Sequence, residues 1–335
     1  MGRYVVSRFL WLILVVFVVS LLTFGFAQAV PGGPFTREKA LPEVVLKNLE
    51  RKYNLDAPVW KQYVDYMADI VVPRVTQGEM RESLLDNYLI NIPLGSDYTL
   101  RWMDFGPSYA SRSRTVNDIF RENLPISFEL GLYALGVALV IGLPFGILAA
   151  LKQNSLWDYS AMGIAVLGVS APVIVLGPFL IWIFAVELGW FLPTGWLTWQ
   201  HKILPSVALG TGSSAIIARL TRASLLQVVR EDYIRTARAK GLMERVVIVR
   251  HALRNSLIPV VTVLGPIFAF LVTGSFVTET IFGIPGMGRY FITSITNRDY
   301  PVITGTILLY AVILVLANLL VDLTYAWLDP RIRYD

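Results

Sequence analysis

Six stretches of the chain are apolar all round and lack the alternation of apolar and polar positions that marks a surface helix or a half-buried strand: residues 9–30, 124–151, 159–186, 203–220, 256–281 and 302–328. A helix rises about 1.5 Å per residue, so about 20 apolar residues cross the roughly 30 Å of hydrocarbon in a bilayer. The pattern predicts an all-α membrane protein with six transmembrane helices. The first run follows Arg3 and Arg8 and ends on Ala27-Gln28-Ala29, which also fits a cleavable signal sequence. Its apolar length exceeds the about 7–15 residues of a signal core, and this favours a retained helix.

Between the first two runs the pattern changes. Residues 36–123 carry 12 basic and 13 acidic side chains and read as a separate extramembrane unit. Within it, Leu41, Val45 and Leu49, then Trp60, Val64 and Met67, recur at helical spacing and predict short amphipathic helices over 42–53 and 57–70. Turn formers at 104–108 close the unit. A segment this small, without disulfides, is expected to lean on the membrane domain for stability. The predicted division is thus residues 1–35 for the N-terminal tail and first helix, 36–123 for the insert, and 124–335 for a five-helix core.

Prolines 144, 172, 178, 259 and 266 fall inside or at the edges of the runs; spanning helices tolerate them where neighbours satisfy the freed carbonyls. The fourth run is the least apolar and has Gly210, Thr211, Gly212, Ser213, Ser214 and Ala215 at its centre. Small residues let helices approach closely, so this helix is expected inside the bundle.

Composition agrees with the pattern: 55% of residues are hydrophobic and 16% charged, with mean hydropathy +0.58. The absence of cysteine excludes disulfides, thiolate ligands and a cysteine nucleophile, and two histidines, His201 and His251, argue against a multi-histidine metal site. The net charge of +5 changes meaning once it is placed. With the N-terminus inside, inside segments hold 14 Lys and Arg against 3 in the short outside loops, and 9 of the 14 lie between Arg219 and Arg254. Basic residues collect on the cytoplasmic side, so both ends are expected inside and the 36–123 insert outside. The charge is therefore an orientation signal rather than a nucleic-acid surface. Trp190, Phe191, Trp196 and Trp199 fit an aromatic belt at the outer interface or ordinary packing.

Candidate chemistry within the spans is sparse. Glu129, Glu279 and Asp322 are the acidic residues, and Asn318 lies one turn before Asp322. No basic partner is evident at mid-depth, and the spacing favours structural hydrogen bonding over a proton path. A serine hydrolase would need a positioned base, but both histidines fall in loops. No GxxxxGK[ST] phosphate loop is present. The informative segment is residues 231–255, read as helix, glycine break, helix within an inside loop at 221–255. Tyr233, Ala237 and Lys240 share a face in the first helix, and Val246, Val249, Arg250 and Leu253 in the second, with Gly241 free to adopt the left-handed turn between them. Such a basic and apolar loop, joined to two spanning helices, suits either anionic lipid headgroups or the grip of a cytosolic motor.

At this loop the sequence resembles the inner-membrane permease subunits of ATP-binding cassette importers. Their loop carries Glu-Ala-Ala, three residues, Gly, nine residues, Ile-x-Leu-Pro. Here Arg235-Thr236-Ala237 occupies the triplet, Gly241 stands at the matching distance, and His251-Ala252-Leu253-Arg254 closes it, so the acidic residue and the Leu-Pro are missing. Residues 233–241 and 250–255 resemble the B-type subunit of the dipeptide and oligopeptide branch, as do 31–34, 54–58, 104–108, 189–195, 282–288, 298–301, 318–322 and 328–331. Residues 72–102 look like an insertion with no assigned role.

The resemblance implies a type I importer permease fold in a bacterial or archaeal inner membrane. It implies a permease with no catalytic residue, metal or bound cofactor of its own, the ATP and Mg being used by two cytosolic ATPase subunits. A second homologous permease, an extracytoplasmic substrate-binding protein and membrane lipid complete the implied partners, with no nucleic acid. Carried over by position, Thr236, Ala237, Gly241, Arg250 and His251 would meet the ATPase, while Tyr109, Arg112 and Arg114 would help receive the binding protein. The cargo implied is a peptide; nickel chelates and glutathione are served by similar permeases. An ion-coupled secondary transporter is the rival from another class.

Overall fold

A computed structural model describes residues 2–29, 33–35, 43–77, 88–95, 97–111, 113–273 and 275–328. The helices are α1 (Gly2–Ala29), α2 (Glu43–Lys52), α3 (Val59–Val71), α4 (Val116–Leu151), α5 (Leu156–Ser170), α6 (Val173–Leu180) and α7 (Trp199–Val228). They continue with α8 (Asp232–Ala239), α9 (Glu244–Val246), α10 (Leu253–Ser256), α11 (Ile258–Thr273), α12 (Phe276–Ile281), α13 (Met287–Asn297) and α14 (Tyr300–Leu328). Five described helical segments are long and apolar enough to cross a membrane: Val6–Ala29, Val116–Leu151, Trp199–Val228, Ile258–Ile281 and Tyr300–Thr324.

The third expected span, residues 159–186, is not one continuous helix. Leu156–Ser170 and Val173–Glu187 meet at a 103° bend. Ala171 and Pro172 are both extended there, at φ −84°, ψ 109° and φ −58°, ψ 141°. Proline has no N–H to continue the ladder and pushes the preceding residue out of the helical region. Past Pro178 the second segment widens into a π-helical stretch, Ile181–Glu187.

The chain divides into two compact units, one drawn from Met1–Leu10, Ile126–Pro285 and Ile313–Asp335, the other from Trp11–Pro125 and Gly286–Val312. In the first, α7 is the central element. Of its apolar window 61% is buried, against at most 41% for the other candidate spans, as its small residues lead one to expect. A Cβ at Gly210 would collide with the Ala134 carbonyl of α4; one at Gly142 would stand 2.7 Å from Ser214 O, and one at Gly146 2.6 Å from Ala218 O. Glycines on both helices thus bring the two backbones together. The core around this contact joins Leu130, Ala134 and Ala138 of α4 to Leu204, Ala208 and Ile217 of α7 and to Val260, Ile267 and Leu271 of α11.

The second unit contains the expected amphipathic helices, observed as α2 and α3, and a three-stranded antiparallel sheet. Its strands are β1 (Arg74–Gln77), β2 (Ile90–Pro93) and β3 (Tyr98–Trp102), in the order β1-β3-β2. Val75 pairs with Leu100 in one ladder and Ile92 with Leu100 in the other. The fold is mostly helical as expected, and the stretch 72–102 supplies this sheet. The core of the unit gathers Ile70, Phe105, Val116, Ile119 and Phe120 with Met287, Val302 and Leu308. The C-terminal half of α1 joins it through Ser20, whose hydroxyl lies 2.7 Å from that of Tyr63, and through the Phe24 ring, 5.4 Å from the Tyr63 ring.

Candidate functional site: the loop after α7 and its anchors

The loop forms its own core. Ile234 and Ala237 of α8, Val247, Ile248 and Ala252 of the π-helical stretch Val247–Ala252, Leu225 of α7 and Ala150 of α4 are buried together. α8 ends at Ala239 with Lys240 as its C-cap, and Gly241 turns the chain with φ +75°, a left-handed conformation that costs a residue with a Cβ about 1–2 kcal/mol. Two polar links cross the turn. Arg238 forks onto Glu244, Nη2 to Oε1 at 2.7 Å and Nε to Oε2 at 3.1 Å, and Asn255 Nδ2 donates to the Tyr233 hydroxyl at 2.8 Å. The Arg238 guanidinium holds the Glu244 carboxyl below the usual carboxylate range.

The residues carried over to the motor contact divide by position. Thr236, Gly241 and Arg250 are exposed and His251 is half-buried. Ala237 is 6% exposed and packs inward with Ile234, so it belongs to the core of the loop rather than to its surface. The apolar side chains left outside are Tyr233, Leu242, Met243 and Val249, with Met243 75% and Val249 59% exposed. A free loop gains nothing from exposing them; a partner that covers them does.

One anchor behind the loop escaped sequence reasoning. Asp158, in the first turn of α5, is buried, and Arg222 of α7 grips it with Nε to Oδ1 and Nη2 to Oδ2, both at 2.7 Å. The Asn154 N–H donates to the same carboxylate at 3.0 Å. The residues stand 64 apart, beyond any local spacing rule. The only sequence signal was an acidic residue following Ser155 at the start of an apolar run, the N-cap pattern that the structure forms.

The intramembrane polar residues have structural partners. Glu129 accepts from Lys202 Nζ at 2.5 Å and from Trp196 Nε1 at 2.9 Å. Lys202 lies in the first turn of α7, and its pairing with Glu129 is one that the sequence did not disclose. Trp196 is buried, whereas Trp190 and Trp199 are exposed. Glu279, 1% exposed, accepts from Ser127 Oγ at 2.7 Å and from Ser275 Oγ at 2.5 Å. Asp322 pairs with Arg8 at 2.7 Å. Asn318 lies where a Cβ on Gly265 would come within 2.7 Å of its Oδ1, marking a close helix contact. Two of the segments carrying the resemblance meet directly: the Gly195 N–H donates to the Phe282 carbonyl at 2.8 Å. Among the described residues no group of three His, Cys, Asp or Glu is placed to hold a metal.

On the other unit, Tyr109 is half-buried among the rings of Phe35, Tyr53 and Tyr300 at 5.7, 4.7 and 6.5 Å, and burial pushes its hydroxyl above the usual phenol range. Buried Asp299 fixes this stretch by accepting from Ser108 Oγ at 2.5 Å, Tyr109 N at 3.0 Å and Ala110 N at 3.1 Å. Arg114 is exposed, donates to the Tyr290 hydroxyl at 2.7 Å and pairs with Glu122 at 3.4 Å. Arg112 lies outside the described residues. Of the two described residues carried over to the binding-protein contact, Arg114 is exposed and Tyr109 is half-buried.

Comparison with known proteins places these features in context. Residues 142–334 match the family described as the binding-protein-dependent transport system inner membrane component, and residues 1–131 match the corresponding N-terminal family. The dipeptide transport system permease protein DppB of Bacillus subtilis is 45% identical over 333 residues, covering 99% of this chain and 98% of that one. The oligopeptide transport system permease protein OppB of Escherichia coli K12 is 39% identical, and the glutathione transport system permease protein GsiC of Shigella flexneri 41%, each over the full length of both chains. Among solved structures, an inward-facing MetNI methionine ABC transporter gives a TM-score of 0.52 at 20% identity, over 63% of this chain and 96% of that one. At that identity the likeness concerns the fold alone.

Proposed function

This chain belongs to the binding-protein-dependent transport system inner membrane components, and from that premise we propose that it is the B-type permease subunit of an ATP-driven peptide importer. It sits in a prokaryotic plasma membrane with both termini cytoplasmic, and forms the translocation path with a second, homologous permease. Peptide cargo is the reading favoured by relatives named for dipeptide and oligopeptide transport at 39–45% identity over essentially the whole chain. The permease makes and breaks no covalent bond. ATP hydrolysis falls to partner subunits, and an extracytoplasmic binding protein delivers the cargo to the side bearing Arg114.

The observation that carries the coupling role is the fused core of the loop. Ile234 and Ala237 are buried against Leu225 of α7 and Ala150 of α4, so the loop cannot move without the ends of two spanning helices. Closure of two ATPases around their nucleotide would pull on Thr236, Gly241, Arg250 and the exposed Met243 and Val249. The pull would reach α7 through packed side chains, and α7 in turn is seated glycine to backbone on α4. Close-packed interiors transmit such displacement with little slack.

The test is Gly241→Val in the assembled transporter. Nothing lies within 4 Å of a Cβ at this position, so the substitution acts through φ +75° alone and reshapes the turn without overpacking the core. The expected result is normal membrane insertion and assembly, with peptide uptake and substrate-stimulated ATPase both lost. Wild-type uptake by this variant would refute the assignment of the loop.

A further inference from the structure

The helix α3 divides its surface three ways. At about 100° per residue, Gln62, Tyr63, Tyr66 and Ile70 fall in one sector, Lys61, Asp65 and Asp69 in a second, and Trp60, Val64, Met67 and Val71 in a third. The first sector packs on the protein: Ile70 is buried, and Tyr63 and Tyr66 are half-buried. The second is charged, with Asp69 paired to Arg74 and with Lys61 and Asp65 exposed. The third is apolar yet open, Trp60 being 68%, Val64 53% and Val71 57% exposed. A surface helix normally turns such a stripe to the core, whereas here these three side chains are each left more than half uncovered.

The contacts of the packed sector set the depth of α3. They fall on the Ala29 end of α1, within the same compact unit. Gln28 Nε2 donates to Gln62 Oε1 at 3.0 Å, the Phe24 ring lies 5.4 Å from that of Tyr63 and 6.3 Å from that of Tyr66, and the Ser20 and Tyr63 hydroxyls are 2.7 Å apart. The apolar span of α1, Val6–Ala29, has 24 residues and is about 36 Å long, about 6 Å more than the hydrocarbon it crosses. Ser20 lies nine residues before Ala29, about 13 Å along the axis. Even with the whole surplus on the Ala29 side, Ser20 stands about 7 Å inside the hydrocarbon. Tyr63 therefore reaches into the bilayer, and α3 lies at its boundary rather than above it. On the same turns of α1, Leu22 and Phe26 are exposed, as apolar side chains covered by lipid are.

We propose that α3 is a membrane-docking helix: Trp60, Val64 and Val71 sink between the headgroups and acyl chains of the leaflet at the Ala29 end of α1, while Lys61 and Asp65 stay in water. The lipid that covers Leu22 and Phe26 continues onto this stripe, so the occupant is the bilayer itself. Trp60 has the apolar body and single N–H donor that suit the interfacial layer, and Lys61 beside it has the length to carry its ammonium to a headgroup phosphate. A helix with one charged and one apolar face lies in the interface in this way. The insert is thereby fastened to the bilayer as well as to α1, a role that goes beyond the transport reading and does not depend on the cargo.

The chain has no cysteine, so Val64→Cys, Val71→Cys and Asp65→Cys each place a single nitroxide label on α3. All three positions are exposed, and a label there displaces no packed side chain. The experiment is power-saturation electron paramagnetic resonance on the assembled transporter, with partner subunits free of reactive thiols, in nanodiscs of phosphatidylcholine and phosphatidylglycerol. Molecular oxygen, which concentrates among acyl chains, and a water-soluble nickel chelate are the two relaxing agents. The labels at 64 and 71 should be relaxed by oxygen in preference to nickel and calibrate to about 5–10 Å beneath the headgroups, while the label at 65 shows the opposite preference. Relaxation by nickel at 64 and 71 as strong as at 65 would mean that the stripe faces water. Protection from both agents at 64 and 71 would mean that a protein partner covers it. Either result would overturn the proposal, and agreement between 64 and 71 guards against a local effect of one label.

Discussion

Arg222→Met removes the positive half of the anchor behind the loop and leaves Asp158 buried with only the Asn154 N–H and the first turn of its helix to hold its charge. The Asp158 side chain is 2% exposed and Arg222 28%. Breaking one side of a buried ion pair costs about 3–5 kcal/mol. The partial exposure of Arg222 and the favourable helix terminus put the expected loss near the lower end, about 3 kcal/mol. That is about two decades in the equilibrium between packed and unpacked α5. Replacing both residues, as Asp158→Asn with Arg222→Met, removes the stranded charge and is expected to recover most of the loss. The assay is a double-mutant cycle on unfolding of the purified chain in detergent, with substrate-stimulated ATPase of the assembled transporter as the functional readout. A coupling energy of about 2 kcal/mol or more, with stimulation lost in Arg222→Met and regained in the double variant, is expected. Additivity within about 0.5 kcal/mol would refute the view that this pair ties α5 to the helix bearing the loop.

Two further outcomes follow from the packing and from the extramembrane carboxyls. Gly210→Leu drives a side chain into the Ala134 carbonyl of α4 and should destabilise the chain by about 1–3 kcal/mol, seen as a lowered melting temperature, whereas Gly212→Leu meets nothing within 4 Å and should be mild. Burial raises the carboxyl pKa values of Asp104 and Asp69, so the folded unit binds more protons than the unfolded chain in the window between the unfolded value, about 3.9, and the raised ones. Stability of the unit should therefore be fully present below that window and fall as pH rises through it. Melting curves across this range should flatten in Asp104→Asn, and an unchanged slope would count against the burial argument.

Particular elements show what a sequence read one residue at a time can and cannot disclose. The spans were legible because crossing a bilayer demands about 20 apolar residues whatever the neighbours, and the buried place of α7 was legible because small residues at 210–215 serve close packing. The 103° break was not: prolines at 144, 178 and 266 lie within helices, and only at 172 does the residue before it also go extended. The sheet had a local trace in the alternation of Tyr98, Leu100 and Trp102 with Thr99 and Arg101, but strands this short fall below the length at which alternation persuades. In the loop, helical spacing put Tyr233 and Ala237 on one face, yet the buried pair is Ile234 and Ala237, because an eight-residue helix has too few apolar positions to tell which side meets the core. Glu129 with Lys202, Asp158 with Arg222 and Asp299 with Ser108 are pairs that only the folded chain brings together.

The central claim is that the exposed side of the loop after α7 meets the ATP-binding subunits. The chain has no cysteine, so Thr236→Cys and Arg250→Cys each introduce a single reactive thiol on that side. Treating the assembled transporter in native membranes with a short bifunctional thiol reagent, against a cysteine placed in the ATPase cleft, should yield a covalent permease–ATPase product at both positions and none from Arg114→Cys. Absence of that product at both loop positions in an assembled and active transporter would contradict the account.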